Sequence, residues 1–341
     1  MKIEEFLSHA VPLLDVRSPA EFLQGHIPGA HSFPLFSDLE RAEVGTLYKK
    51  AGKDAAVKLG LHMVGPKLAS FVEQAETLCC SKRAFQLYCW RGGMRSHSLA
   101  WLLQTAGFSC HVLTGGYKAF RHWTLDQFQK PYRLMVLGGL TGSGKTDLLH
   151  KLRQQNEQVI DLEALAQHRG SSFVHLGCPP QPSSEHFENT LAWQLSQLDL
   201  RLPIWIEDES RQIGTCHLPL ALWTQMSGAV FMWIHSPIED RVKRLLGSYG
   251  EYAPQAIIAS VERLVRKLGA VRTQQVVHAI QNRAMESAVA MVLEYYDQTY
   301  TFACQRRKRP RLECHHTGTD LALVDILKKH SLSPPNEGGA K

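Results

Sequence analysis

The stretch GLTGSGKT at residues 139–146 decides the fold of the second half of this 341-residue chain. It fits the pattern G-x-x-x-x-G-K-[ST] in full, and it lies between the apolar segment RLMVLGG (133–139) and the amphipathic segment TDLLHKLRQQ (146–155). A glycine-rich loop between a strand and a helix turns its backbone N–H groups towards a single point, where they bind a diphosphate. This part of the chain is therefore predicted to be a P-loop α/β domain.

The side chains of this loop predict the chemistry of the site. Lys145 would reach the outer phosphate oxygens, and the hydroxyl of Thr146 would bind Mg²⁺ where that ion is present. The geometry of the loop does not distinguish ATP from another diphosphate ester. The predicted diphosphate-binding residues are Gly139, Thr141, Gly142, Ser143, Gly144, Lys145 and Thr146.

A second acidic motif, IWIEDESRQIG (204–214), follows in the same half of the chain. An apolar strand there would deliver the carboxylates of Glu207 and Asp208 at its C-terminal end. Either carboxylate could act as an acid or base or bind Mg²⁺, and Thr146 with Asp208 is the expected metal pair. The alternative interpretation is a solvated strand end.

Two further segments are candidates for substrate contacts. DLEALAQHRGSSF (161–173) follows a predicted strand and brings His168 and Arg169 to the border of the phosphate site. In HSPIEDRVKRLL (235–246), Arg241 could approach phosphates, with Arg244 on the same helix face. The alternatives are a helix cap followed by a turn for the first segment and ordinary surface charge for the second.

In the first half of the chain, YCWRGGMRS (88–96) places a cysteine on a glycine-bearing loop between a predicted strand and a helix capped by Ser96. Loop N–H groups, the helix N-terminus and two arginines would lower the pKa of the Cys89 thiol and leave a nucleophilic thiolate at neutral pH. The same cradle, formed by Arg91, Gly92, Gly93 and Arg95, could hold an oxyanion beside the sulfur. The alternative is a buried structural cysteine next to surface arginines.

The order of apolar segments and turns predicts two α/β domains with parallel sheets. The first spans residues 1–125 and a linker spans 126–132. The P-loop domain, with a helical and basic C-terminal region, spans 133–330, and a disordered tail spans 331–341.

Composition limits the functional classes. The eight cysteines match no zinc template, so most are expected to be reduced and buried in a cytoplasmic protein. No signal peptide is expected, and no apolar run approaches the ~20 residues of a membrane helix. The net charge of +6 is compatible with an anionic partner such as RNA.

The basic run QRRKRPR (305–311) is the candidate RNA contact, and a solvated charged face is the alternative. Contacts of this kind would bind phosphates without reading sequence. Its predicted RNA-binding residues are Arg306, Arg307, Lys308, Arg309 and Arg311.

Three separated motifs in the first half resemble a rhodanese domain: DVRSPAEFLQGHIPGA (15–30), the Cys89 loop, and VLTGGYKAF (112–120). The resemblance implies that Cys89 accepts a chalcogen atom and that Asp15 and Arg17 brace the fold. The loop departs from the usual Cys-x4-Arg spacing, because Arg95 makes it Cys-x5-Arg. That spacing also belongs to thiol phosphatases, although Tyr88 stands where they usually place histidine.

A rhodanese-like domain joined to a P-loop domain, with these motifs in this order, resembles the tRNA 2-selenouridine synthase family. The resemblance implies a transferase that converts wobble 2-thiouridine in a subset of tRNAs to 2-selenouridine, through S-geranyl-2-thiouridine. The implied substrates are geranyl diphosphate and selenophosphate, with possible Mg²⁺ and no tightly bound cofactor. The implied partners are tRNA and the enzyme that supplies selenophosphate. The alternatives are a sulfurtransferase or thiol phosphatase with a regulatory ATP-binding domain, and a non-catalytic RNA-binding module.

Overall fold

The computed structural model describes residues 1–79, 83–168, 179–249, 252–307, 311–315 and 324–329, with residues 248–249, 302–307 and 311 described through their backbone only. The chain divides into two compact units. Unit 1 comprises Met1–Phe128 and Ser183–Trp193, and unit 2 comprises Gln129–Pro182 and Gln194–Lys341. Among the described residues, no helix has both the length and the apolarity that crossing a bilayer requires.

Unit 1 is built on a four-stranded sheet in which every strand pair is parallel. Its strands are β1 (Leu13–Asp15), β2 (Ala30–Ser32), β3 (Ala84–Tyr88) and β4 (Ser109–Val112). They lie in the order β2-β1-β3-β4. The helices formed by the first part of unit 1 are α1 (Ile3–Ser8), α2 (Pro19–Gln24), α3 (Asp38–Val64), α4 (Leu68–Leu78), α5 (Met94–Thr105) and α6 (Gly116–Gln127), with a 3₁₀ turn at Gly65–Lys67.

The core of unit 1 forms around the two central strands, β1 and β3, most of whose residues are buried. Leu14, Phe85 and Leu87 are fully buried, and Leu99 and Leu103 of α5 pack in the same cluster. Beside it, the buried carboxylate of Asp15 accepts a 2.9 Å hydrogen bond from Nε of Arg17, which also donates through Nη2 to the Gly25 carbonyl at 2.6 Å. A buried charge needs such partners, so this pair braces the turn after β1.

Helix α3 begins at a capping box and is broken in the middle. Ser37 Oγ accepts a 3.3 Å hydrogen bond from the Glu40 N–H, and Glu40 accepts one of 2.8 Å from the Ser37 N–H. Gly52 has φ +84°, a left-handed conformation that suits glycine, and it divides α3 into two helical arms.

Unit 2 contains a five-stranded, fully parallel sheet and a small antiparallel hairpin. The strands are β5 (Leu134–Gly139), β6 (Gln158–Ile160), β7 (Ile204–Glu207), β8 (Gln212–Ile213), β9 (Cys216–His217), β10 (Val230–His235) and β11 (Arg311–His315). The sheet order is β11-β10-β5-β7-β6, and β8 pairs with β9. The GLTGSGKT loop therefore begins at the C-terminal end of the central strand.

The helices of the second half of the chain are α7 (Lys145–Gln154), α8 (Leu162–Leu165), α9 (Ser184–Ser196), α10 (Leu220–Gly228), α11 (Ile238–Tyr249), α12 (Pro254–Arg263), α13 (Val265–Leu268), α14 (Ala270–Gln281) and α15 (Met285–Arg307). Four of them, α12 to α15, follow one another without an intervening strand. The predicted fold class is confirmed: two parallel α/β units, a P-loop between β5 and α7, and a helical C-terminal region.

Most of α9 belongs to unit 1, although its sequence lies far beyond β4. Tyr117 donates a 2.7 Å hydrogen bond from its hydroxyl to Glu185 and accepts one of 2.7 Å from the Asn189 amide. Arg121 forms an ion pair with Glu188. Helix α9 thus completes the side of unit 1 formed by α6.

Candidate functional site

Cys89 lies directly after β3, at the entrance to the loop predicted from the sequence, and its residue surface is 3% exposed. Helix α5 begins at Met94, with Gly93 at its N-cap. The prediction that Ser96 caps this helix is wrong, because the chain becomes helical two residues earlier. The Ser96 hydroxyl instead lies inside the first turn, where it donates a hydrogen bond to the sulfur of Cys89 at 3.2 Å.

Two opposing effects act on the pKa of the Cys89 thiol. Burial favours the neutral form and raises the pKa, but hydrogen bonds to the thiolate outweigh burial and lower the pKa overall. The donors are the Ser96 hydroxyl and the backbone N–H groups of Ser96, Gly93 and Arg91. The Gly93 N–H lies 3.2 Å from the sulfur. The loop therefore stabilises a nucleophilic thiolate.

The two arginines of the loop differ in their surroundings. Nη1 of Arg95 forms a 2.7 Å ion pair with Glu21 of α2, so its charge is compensated within unit 1. Arg91 is exposed. The main contributions to the lowered pKa of Cys89 are hydrogen bonds, whereas the sequence suggested arginine charge as a principal cause.

The glycines of the Cys89 loop allow it to contact the VLTGGYKAF motif backbone to backbone. Gly92 has φ +62°, and a β-carbon there would come within 2.3 Å of the Leu113 carbonyl oxygen. Gly116 has φ +59°, and its β-carbon would come within 2.2 Å of the Cys89 carbonyl oxygen. That carbonyl accepts a 2.8 Å hydrogen bond from the Tyr117 N–H. The two motifs are one structural unit, which explains why both carry glycine.

A cavity of about 760 Å³ opens beside Cys89 within unit 1. The Cys89 loop forms one wall, and both arms of α3 form the other. The sequence did not predict this wall. Residues on the α3 side include Val44, Tyr48, Ala56, Val57, Gly60, Leu61 and Val64.

In unit 2, the predicted diphosphate loop adopts the expected strand–loop–helix form. Gly142 and Gly144 have φ +79° and +86°, conformations that glycine adopts at little cost. The Ser143 N–H donates to the Leu140 carbonyl at 3.0 Å, and Nζ of Lys145 donates to the Gly139 carbonyl at 2.8 Å. The lysine is therefore positioned at the loop by a backbone contact that a phosphate oxygen could replace.

Glu207, not Asp208, lies next to Thr146. The Thr146 hydroxyl donates a 3.1 Å hydrogen bond to Oε1 of Glu207, while Asp208 accepts one of 2.8 Å from the Tyr300 hydroxyl. The two carboxylates diverge because successive residues of an extended chain point to opposite sides. The structure brings Thr146 together with only one of the two acidic candidates.

The acidic motif also contains carboxyl groups with raised pKa values. Burial, followed by the charges of Glu163 and Asp161, raises the pKa of Glu207. Burial, followed by the charges of Glu163 and Glu207, raises the pKa of Glu209. Glu163 also donates its backbone N–H to Glu207 at 3.3 Å. Sequence analysis did not single out Glu163 as a site residue, although it follows a predicted strand at the same edge of the sheet.

The structure separates the two arginines of α11. Arg241 is buried and forms an ion pair with Asp297 of α15, with nitrogen–oxygen distances of 2.9 and 2.7 Å. Nη1 of Arg244 lies 3.5 Å from the Gly142 carbonyl oxygen and 3.3 Å from Oγ of Ser236. Arg244 is thus the arginine at the diphosphate loop, whereas the substrate-contact prediction was made for Arg241.

The remaining predicted contacts are only partly within the described residues. His168 ends a described range, and its backbone N–H donates to the Glu163 carbonyl at 3.0 Å. Arg169, Lys308 and Arg309 lie outside the described residues, as does the tail 331–341. Arg306 and Arg307 end α15 and Arg311 begins β11, but only their backbone is described. The RNA-contact hypothesis for this run remains a prediction.

Two family models match separate parts of the chain. Residues 3–122 match a rhodanese-like domain, and residues 132–333 match the tRNA 2-selenouridine synthase AAA domain. Three curated relatives carry the name tRNA 2-selenouridine synthase. They are from Nitrosomonas europaea (34% identical, covering 93% of this chain and 94% of the relative), Ectopseudomonas mendocina (34%, 94% and 93%) and Pseudomonas syringae pv. tomato (35%, 94% and 95%). Both domain matches and the full-length similarity lead to one conclusion: the chain belongs to the tRNA 2-selenouridine synthase family.

Proposed function

We propose that this chain is a transferase that replaces the sulfur of wobble 2-thiouridine in tRNA with selenium, in two successive reactions at two sites. The Cys89 loop would serve the selenium exchange, and the diphosphate loop would serve geranyl transfer. The main support is the presence, in one member of this family, of a cysteine whose pKa is lowered by hydrogen bonds and of a complete P-loop.

In the first reaction, geranyl diphosphate binds through its diphosphate to the loop at 139–146. The 2-thiouridine sulfur attacks the first carbon of the geranyl group, a carbon–sulfur bond forms, and the carbon–oxygen bond to diphosphate breaks. The diphosphate leaves with that electron pair, and the proton on N3 of the base is released to solvent. Lys145 and the loop N–H groups compensate the negative charge that develops on it, and Arg244 is close enough to the loop to contribute.

Mg²⁺ fits this site through oxygen ligands. The Thr146 hydroxyl and the Glu207 carboxylate lie together, which suits a hard cation. In the described part of the chain, no group of three or more His, Cys, Asp or Glu residues is arranged to hold a metal ion. We therefore expect Thr146 and Glu207 to hold Mg²⁺ together with the diphosphate oxygens, as is common for this ion. When bound, Mg²⁺ would neutralise charge on the leaving diphosphate.

In the second reaction, geranylated sulfur is displaced from carbon 2 of the base. Selenium from selenophosphate forms a bond to that carbon, the carbon–sulfur bond breaks, and geranylthiolate leaves with the electron pair and takes up a proton. Water then cleaves the selenium–phosphorus bond and releases phosphate. This direct route requires no oxidant or reductant. Carrying selenium on the Cys89 sulfur would require a two-electron oxidant when the sulfur–selenium bond forms and a thiol reductant when selenium is transferred, so we propose the direct route.

The polymer substrate would be tRNA, and the basic run at 305–311 is the proposed phosphate contact. An anticodon base must be unstacked to reach any protein nucleophile, and single-stranded loops allow this at low cost. The partner that supplies selenophosphate would be an enzyme that joins reduced selenium to a phosphoryl group. We place the reaction in the cytoplasm, where tRNA is available.

The test is mass spectrometry of nucleosides after tRNA containing 2-thiouridine is incubated with the full chain, geranyl diphosphate and selenophosphate. We expect 2-selenouridine from the wild type, S-geranyl-2-thiouridine without 2-selenouridine from Cys89→Ser, and neither from Lys145→Ala. Full selenation by Cys89→Ser would contradict the role of the Cys89 loop. The intact mass of the protein after selenophosphate treatment separates a selenium adduct on Cys89 from direct delivery. Hydrolysis of ATP without tRNA modification would instead support a regulatory ATP-binding domain.

A further inference from the structure

We propose that the cavity between the Cys89 loop and α3 binds the prenyl chain of an S-prenylated thiouridine, and so brings carbon 2 of the base to the Cys89 loop. This proposal rests on the proposed function, because it assigns the second reaction's substrate to a specific surface. It adds a prenyl-binding role for unit 1, separate from the diphosphate loop of unit 2. The occupant is an apolar chain carried on a polyanion.

The walls of the cavity are apolar on both sides. Val57 and Val64 contribute from the second arm of α3, and Trp90 and Met94 contribute from the Cys89 loop. Leu61 and Met94 are 66% and 52% exposed, so large apolar surfaces face the cavity without protein covering them. The volume of about 760 Å³ is in the range of sites that enclose small organic ligands. An anion the size of selenophosphate would not need such walls.

The charges among the lining residues identify the rest of the ligand. Arg41, Lys49 and Lys53 of α3 line the same cavity and are exposed. Arg41 has one weak partner, with Nε 3.7 Å from Glu21. Cations beside an apolar pocket match an apolar group attached to phosphates, whereas a neutral apolar peptide would leave them without a counter-charge. A prenylated RNA has both features.

The position of the thiolate completes the argument. Cys89 itself lines the cavity, so a chain bound against α3 has its attachment point near the loop. Burial of the apolar chain in the cavity would hold the attached base in a fixed orientation beside the loop. Binding energy from a group that does not react can assist a reaction in this way. The prenyl chain would then be part of the geranylthiolate that leaves, and it would also be the group through which the nucleotide is bound.

The proposal is tested by the affinity of the full chain for labelled anticodon stem-loops that carry S-geranyl-2-thiouridine, S-methyl-2-thiouridine or 2-thiouridine, measured by fluorescence anisotropy. We expect the geranylated RNA to bind about tenfold more tightly than the methylated RNA, since several apolar carbons are buried. Val57→Trp, which places a bulky indole in the cavity, should remove this difference. The matched control is Lys58→Trp, which introduces the same side chain at an exposed neighbouring position outside the lining.

A second variant keeps the test possible if Val57→Trp does not fold. Leu61→Gln changes an exposed side chain, so the fold should persist while the preference for geranylated RNA falls about threefold. If both variants retain the wild-type preference, the cavity is not the prenyl site and the proposal is wrong. Equal wild-type affinity for geranylated and methylated RNA would also overturn it.

The proposed function and the cavity proposal fail in different ways. The wild type could form no 2-selenouridine from synthetic geranylated RNA and still bind that RNA with a preference that Val57→Trp removes. In that case the proposed function is wrong and the cavity proposal is supported. If 2-selenouridine forms with equal KM from geranylated and methylated RNA, and Val57→Trp changes neither KM, the function stands and the cavity proposal is wrong.

Discussion

The hydroxyl of Ser96 lies 3.2 Å from the sulfur of Cys89 and donates a hydrogen bond to it. The same hydroxyl lies 3.0 Å from the Gly93 carbonyl oxygen, a second acceptor within the loop. A hydrogen bond to the charged form of a group favours that form. Ser96 is therefore a positioning residue for the thiolate, and it lies within the first turn of α5.

Replacement of Ser96 by alanine should raise the pKa of Cys89, because it removes the strongest contribution that favours the thiolate while burial remains. The rate of alkylation by iodoacetamide, measured against pH, should shift towards higher pH. At pH 7 the rate should fall several-fold. Ser98→Ala is the control, since Ser98 is exposed on the same helix. An unchanged pH profile for Ser96→Ala would contradict the assignment of Ser96 as a thiolate donor.

Gly116→Ala should destabilise unit 1 strongly. The added β-carbon would meet the Cys89 carbonyl oxygen at 2.2 Å, and the position also has φ +59°. The combined clash and strain should cost at least about 2 kcal/mol of unfolding free energy. Gly29→Ala is the matched control, because Gly29 has φ +82° with open space around it and should lose only about 1 kcal/mol. Denaturant titration measures both, and equal losses would show that the contact between the two motifs is unimportant.

Arg244→Ala should weaken ligand binding, whereas Arg241→Ala should lower the stability of unit 2. Arg244 lies at the Gly142 carbonyl, so its loss should weaken the binding of geranyl diphosphate about tenfold and leave the unfolding temperature nearly unchanged. Loss of Arg241 would leave Asp297 without its ion-pair partner and should lower the stability of unit 2 by about 3 kcal/mol. Calorimetric binding and thermal unfolding distinguish them. A larger loss of geranyl diphosphate affinity in Arg241→Ala than in Arg244→Ala would contradict this assignment.

Glu207→Gln should remove the effect of Mg²⁺ on diphosphate binding, because the carboxylate beside Thr146 is lost. Asp208→Asn should retain that effect, since Asp208 accepts its hydrogen bond from Tyr300. Binding of inorganic diphosphate, titrated with and without Mg²⁺, gives the comparison. Loss of the Mg²⁺ effect in Asp208→Asn alone would support the pair first predicted from the sequence.

The difference in stability between Glu207→Gln and the wild type should depend on pH. Burial raises the folded-state pKa of Glu207, so the folded chain binds more protons than the unfolded chain above the ordinary pKa of 4.5. The contribution of Glu207 to stability is therefore lost as pH rises from 4.5 through the folded-state pKa. Without ligand, Glu207→Gln should be more stable than the wild type at pH 8, and the difference should shrink towards pH 4.5. Thermal unfolding across this range checks the sign.

The P-loop, the Cys89 loop and the parallel α/β fold could be predicted because each depends on neighbouring residues. A strand, a glycine-rich turn and a helix N-terminus occur within about ten residues, and their backbone geometry follows from local sterics. The rhodanese-like motifs at 15–30 and 112–120 were recognisable for the same reason. Gly92 of the Cys89 loop and Gly116 of the 112–120 motif meet in the structure, and both have positive φ.

Other features depended on contacts between residues far apart in the chain. The sequence alone determined that a cysteine loop and a diphosphate loop exist. It also limited the carboxylate expected to bind Mg²⁺ to Glu207 or Asp208. Only the tertiary structure decided that Glu207 faces Thr146, that Arg244 reaches the loop while Arg241 pairs with Asp297, and that α3 encloses a cavity beside Cys89. The reason is physical: local backbone sterics specify a turn, but the direction of a side chain towards a distant partner is set by packing of the whole unit.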